Sequence, residues 1–139
     1  MMPRTDGDPK ALEASEWLDK AVEDLESARV LIDTGHPANA LFHCQQCAEK
    51  SLKAFLTWHG QPFRRTHDVE EVGVACCAID PTLAPVTSRA GVLSGFAWRL
   101  RYPGESYKPE GGETEFMWEL AKAVLTEIRR RIPLEAEAG

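Results

Sequence analysis

Leu41-Phe42-His43-Cys44-Gln45-Gln46-Cys47-Ala48-Glu49-Lys50-Ser51-Leu52-Lys53-Ala54-Phe55-Leu56 holds no glycine or proline, so nothing in it interrupts a helix. Leu41, Cys44, Ala48, Leu52, Phe55 and Leu56 recur at steps of three and four, the period of a buried helical face. Asn39, His43, Gln46, Lys50, Lys53 and Thr57 recur at the same steps as a band of hydrogen-bond donors. A third row, Ala40, Cys44, Cys47, Ser51 and Ala54, is small enough to let a neighbouring helix come close. The pattern predicts the central helix of a bundle, from about Ala38 to His59, with one polar face left for a partner or ligand.

Working outward, a first helix is expected from Pro9 or Ala11 to Thr34-Gly35, where glycine suits a helix C-terminus. Leu18, Val22, Leu25, Ala28 and Ile32 form its core stripe, while Lys20, Glu23, Asp24, Glu26 and Arg29 fall mostly outside. The turn His36-Pro37 is so short that the two helices must be antiparallel neighbours. Beyond Gly60, Asp68 with Glu71 reads as a capping box for a short helix over 69–79, stopped by Asp80-Pro81 and weakened by Gly73. A fourth helix is expected over 83–101, with Val86, Ala90, Leu93, Ala97 and Leu100 inward. The last covers 113–131, with Phe116, Met117, Leu120, Val124, Leu125 and Ile128 inward and Arg129 to Arg131 complementing its C-terminal dipole. No period-two strand is visible. The fold class is all-α: an antiparallel up-and-down four-helix bundle with one additional short helix. The bundle is placed over 9–132, with tails at 1–8 and 133–139.

The 139 residues, 43% hydrophobic and 27% charged, suit one domain with a core of its own. No apolar run approaches the roughly 20 residues of a membrane span, and residues 1–8 lack the apolar stretch of a signal peptide. A cytoplasmic protein, off the membrane, is the expectation. The net charge of −6 is uneven: residues 1–49 contribute −6, 50–108 contribute +3 and 109–139 contribute −3. An anionic ligand would be welcome in the middle third.

Cys44-x-x-Cys47 has the spacing of zinc and redox motifs, but it lies inside a helix with no second ligand pair. No glutamate precedes a histidine by three residues, as two-metal bundles require, and no glycine-rich phosphate loop is present. No metal and no cofactor is expected. The donors left for a ligand are Gln46 and Lys50 on the central helix, His67 at the start of the short one and Arg99 and Arg101 at the end of the fourth.

The string Gln45-Gln46-Cys47-Ala48-Glu49-Lys50-Ser51-Leu52-Lys53-Ala54, then Thr66-His67-Asp68, then Leu100-Arg101-Tyr102-Pro103, resembles the HEPN family, the higher eukaryote and prokaryote nucleotide-binding domain, over about residues 12–132. The resemblance implies a five-helix bundle that forms a homodimer and pairs with a minimal nucleotidyltransferase in a two-component or toxin–antitoxin system. Many members are metal-independent ribonucleases whose arginine is followed, four to six residues on, by a histidine. Here Arg101 precedes Tyr102-Pro103-Gly104-Glu105-Ser106-Tyr107-Lys108, without one. Cleavage through a ribose 2′-hydroxyl needs a proton acceptor titrating near neutrality, which arginine cannot supply.

Three readings stand at this point. The first is a non-catalytic module binding nucleotide or RNA phosphate through Gln46, Lys50, His67 and Arg101. The second is a ribonuclease in which His67 serves opposite Arg101, and the third is a bundle whose polar face binds only another protein. The cysteine placement yields a first prediction: the purified protein contains no stoichiometric zinc and shows four thiols when denatured without reductant. One zinc per chain by elemental analysis would refute it.

Overall fold

The computed structural model describes residues 8–66, 68–99 and 111–133, with the backbone alone for 96–99 and 111. Among these residues all regular structure is helical: α1 (Pro9–Asp33), α2 (Pro37–Trp58), α3 (Val69–Ile79), a 3₁₀ turn (Pro81–Leu83), α4 (Ala84–Ala90), α5 (Val92–Arg99) and α6 (Gly111–Arg131).

The starts of α1, α2 and α3 have local causes. The Asp8 carboxylate accepts from Lys10 N at 2.8 Å, Pro37 opens α2, and the Asp68 carboxylate accepts from Glu70 N at 3.0 Å. Gly35 and Gly60 close α1 and α2 at φ +83° and +67°. At both ends the next amide reaches back five residues, His36 N to Leu31 O at 2.8 Å and Gln61 N to Leu56 O at 2.9 Å. Only glycine enters that conformation freely.

α2 touches α1, α3, α5 and α6, and its most extensive contact is with α1. Ala11, Ala14, Leu18, Ala21 and Ala28 of α1 are buried, and so are Ala40, Cys44, Cys47, Ser51 and Ala54 of α2. Small side chains on both helices let the backbones approach closely. Asp24 of α1 contacts His43 and Lys50 of α2, and Lys10 lies beside Gly60, so the pair is antiparallel. α6 docks against α1 in the same sense, with Trp118 Nε1 donating to Leu25 O at 3.0 Å and Arg29 holding Glu115 at 2.6 Å. The up-and-down order thus leaves α2 and α6 running parallel.

Three expectations are corrected. The fourth helix is divided at Gly91, where Ser94 N turns to the nearer carbonyl of Gly91 at 3.3 Å; glycine is the weakest helix former apart from proline. Phe116 is 59% exposed, because the inward row of α6 is Met117, Leu120, Ala121, Val124 and Ile128, and Phe116 falls about 100° from it. Asp24, expected outside, is 8% exposed and lies in the α1–α2 seam. Gly73 has a packing reason: a Cβ there would stand 3.1 Å from Thr87 Cβ, so α3 and α4 meet closely at this point.

No helix among the described residues is long and apolar enough to cross a membrane. The core yields a second prediction. Leu41→Ala, at a fully buried position, should cost about 2–5 kcal/mol of unfolding free energy, whereas Leu12→Ala, at 48% exposure, should stay within about 0.5 kcal/mol. Equal losses in urea titrations would contradict the assignment of α2 as the central helix.

Candidate ligand face of the central helix

The donor band expected on α2 is present, but two of its members face inward. Lys53 and Thr57 are 6% and 7% exposed. Lys53 is accompanied by Gln45 and Glu49, at 0% and 2%, and together they form a buried polar chain. Gln46 Nε2 donates to Gln45 Oε1 at 2.7 Å, and Gln45 Nε2 donates to Glu49 Oε1 at 2.9 Å. Lys53 Nζ then donates to Glu49 Oε2 at 2.8 Å and to the Thr66 carbonyl at 3.0 Å. The same ammonium lies 5.6 Å from the Trp17 ring centre and 5.5 Å from that of Phe63, so it is solvated by rings and oxygens instead of water. Trp17 Nε1, beside it, is a buried donor without a hydrogen-bond partner among the described residues.

The chain ends on the backbone immediately before His67. Thr66 Oγ1 accepts from Asp68 N at 3.0 Å, and Val69 N donates to Ser94 Oγ at 2.6 Å. Thr66 is therefore tied to α2 and Val69 to α5, the helix whose sequence leads on to Arg101. Arg64 and Arg65, just upstream, are exposed, and Arg64 pairs with Glu71 at 2.6 Å.

A second cluster lies in the α1–α2 seam. The Asp24 carboxylate places Oδ1 at 2.7 Å from His43 Nδ1 and Oδ2 at 2.6 Å from Lys50 Nζ. Lys50 is thus neutralised from within the chain, though its side chain keeps 22% of its surface. Of the four expected ligand donors, the structure places Gln46 half-buried at the head of the polar chain and Lys50 on Asp24. His67 and Arg101 lie outside the described residues.

Sequence reading missed Gln45, Glu49 and Asp24. The spacing held a signal for the first two: Gln45, Glu49 and Lys53 are successive i, i+4 positions, with glutamate N-terminal to lysine, the favourable order. Asp24 interrupts the alanine row of α1 between Ala21 and Ala28.

The cysteines serve packing. Burial pushes the Cys44 thiol up to about 12, and Cys47 and Cys76 higher still, again through burial. Cys76 Sγ lies 3.4 Å from the Leu52 carbonyl, which it can reach as a thiol donor. Thiols held protonated are poor nucleophiles and poor metal ligands.

The fold and this polar centre define an all-helical bundle organised on one buried helix. The HEPN domain family profile matches residues 14–131, and the chain belongs to that family. Two solved structures share the fold. One is TT1696 from Thermus thermophilus, with TM-score 0.73 and 26% identity over 85% of this chain and 97% of that one. The other is ST0689, described as an archaeal HEPN homologue, with TM-score 0.70 and 25% identity over 86% of this chain and 98% of that one. A Methanocaldococcus jannaschii protein named "Putative toxin MJ1304" is 47% identical over 49 residues, which is 35% of this chain and 32% of that protein.

The Glu49–Lys53 pair supplies a third prediction. Glu49→Gln or Lys53→Met alone should cost about 3–5 kcal/mol, because each strands a buried charge. The double variant should lose clearly less than the sum of the two. Strictly additive losses in a denaturant double-mutant cycle would show that the two side chains do not stabilise each other.

Proposed function

We propose that this HEPN protein is a binding module that takes a nucleotide or RNA phosphate beside the 66–69 segment. On this reading it acts with a nucleotidyltransferase in a toxin–antitoxin type of system. The observation that carries the reading is the unbroken hydrogen-bond chain from Gln46 through Gln45, Glu49 and Lys53 to the Thr66 carbonyl. It ties the backbone at Thr66 to α2, the helix that carries the first diagnostic block of the sequence. A backbone carbonyl held this way needs little further ordering when a ligand binds beside it. In the proposal His67 and Arg101 are the ligand donors, Arg64 and Arg65 lend positive field, and Gln46 and Lys50 act from behind. Lys50 is the weakest member, since Asp24 already takes its charge.

The reading is non-catalytic because no histidine follows Arg101 at the spacing a ribose-directed base would need. A second reading has one observation in its favour, the 49-residue likeness to a protein named as a toxin. It is a metal-independent ribonuclease with His67 as proton acceptor opposite Arg101. A homodimer is part of the first reading: Val74, Val92 and Phe116 are large apolar side chains left exposed, and a twofold pair is the commonest way to cover such surface.

The fourth prediction separates the two. Labelled short RNA, incubated with the protein in EDTA, should bind weakly, with salt-sensitive affinity, and remain intact. Arg101→Ala should lose about 1–3 kcal/mol of binding, and Lys20→Ala almost nothing. Cleavage abolished by His67→Ala would replace the first reading with the second. Full binding by the Arg101 variant would reject this placement of the site.

A further inference from the structure

A groove of about 560 Å³ runs between α4 and α6, with no residue in common with the polar chain of α2. Its volume is that of a small-molecule site, roughly 300–1,000 Å³. Arg89 lines it from α4, and Lys122, Arg130 and Arg131 line it from α6, over a floor that includes Val86 and Ala123. Glu119 and Glu127 also face it, so four cations meet two carboxylates in a chain whose net charge is −6.

The four cations are not equivalent. Arg131 is fully engaged: Nε to Asp80 Oδ2 at 3.1 Å, Nη2 to Thr82 Oγ1 at 3.0 Å and Nη1 to Glu127 Oε2 at 2.7 Å. The Arg131 contact is the main cause holding the Glu127 carboxyl low, and the Thr82 hydroxyl, donating to Asp80 Oδ1 at 2.6 Å, is the main cause holding the Asp80 carboxyl low. The Arg131 contacts lock the end of α6 to the turn before α4, and with it the width of the groove. Arg89, by contrast, donates among the described residues only Nε, to the Pro85 carbonyl at 3.3 Å. Lys122 Nζ rests 5.3 Å from the Trp118 ring centre with no carboxylate partner among the described residues. Arg130 uses one nitrogen on Glu127, at 3.0 Å to Oε1. Three cations therefore keep spare donors around a concave floor, and Thr126 adds a hydroxyl on the same wall. Forked guanidiniums beside an ammonium and a hydroxyl match the several oxygens of a phosphate chain better than a single carboxylate.

We propose that the α4–α6 groove is an oligophosphate-binding site, with Arg89, Lys122 and Arg130 as its donors and Arg131 as the brace that sets their spacing. Phosphates of a free nucleotide and those of an RNA backbone share this chemistry. The site is separate from the one assigned to His67 and Arg101.

The test is calorimetric titration of the full chain with inorganic pyrophosphate, with ADP and with a short uridine oligonucleotide, at low and at moderate salt. Pyrophosphate should bind, more weakly as salt rises. Arg89→Gln combined with Lys122→Gln should weaken it at least about tenfold while leaving the melting temperature unchanged. Glu119→Gln, which removes a carboxylate from the wall, should tighten it. Arg101→Ala should leave intact the part of pyrophosphate binding that the Arg89/Lys122 double variant removes, so loss of the other site would not mimic loss of this one. ADP bound without the oligonucleotide identifies a free nucleotide as the source, and the reverse identifies RNA. Pyrophosphate bound equally well by the double variant, or by neither protein, overturns the proposal.

Discussion

The close approach of α1 to α2 is the constraint on which the other contacts depend. Ala14, Ala21 and Ala28 of α1 and the alanine, cysteine and serine row of α2 are all buried. Backbones brought this near leave little room for water, so any polar side chain caught in the seam needs a partner from the protein. Asp24 is caught there, and His43 and Lys50 meet its two oxygens. A side chain that would hold solvent on a looser helix pair becomes a cross-link in this one. The cross-link also removes Lys50 from the pool of free cations.

The other side of α2 meets the same problem with different groups. Glu49 and Lys53 are almost wholly buried, an arrangement that costs several kcal/mol in desolvation and is tolerated only when both charges are fully engaged. Gln45, the Thr66 carbonyl and the rings of Trp17 and Phe63 complete their surroundings. Replacing the pair by apolar residues could match it in stability. It could not hold the backbone at Thr66, since an apolar side chain offers no donor to a carbonyl. The pair is therefore understood best as a device that fixes the backbone at Thr66 against α2. The α4–α6 groove repeats the theme, with Arg131 committing its donors to Asp80, Thr82 and Glu127 and so joining the end of α6 to the turn before α4.

Much of the fold is legible in the chain because helices announce themselves locally. The absence of breakers from Leu41 to Leu56, Gly35 and Gly60 at helix ends, and Asp68 three residues before Glu71 each act within a turn or two of backbone. The small row of α2 is legible for the same reason, since side-chain size limits approach whatever the neighbour is. Two departures arise where those rules reach their margins. Hydrophobicity alone places Phe116 inward, although it stands one residue off the row that faces the core. Periodicity carries a helix straight through Gly91, although a single glycine there divides it.

The sequence by itself determined an all-helical bundle, the central place of α2 and the membership of the HEPN family that its motifs suggested. Periodicity and caps are properties of one segment at a time, and motif strings are read without coordinates. Only the tertiary structure decided which polar side chains are already engaged. On a helical wheel Lys50 and Lys53 look alike, both cations on one polar stripe. In the bundle Lys50 stays half-buried against Asp24, 26 residues earlier, while Lys53 is sealed beneath Trp17 and Phe63 and holds Thr66. Whether a charge is free for a ligand depends on which carboxylate another helix brings to it, and that partner is fixed by packing between segments far apart in the chain.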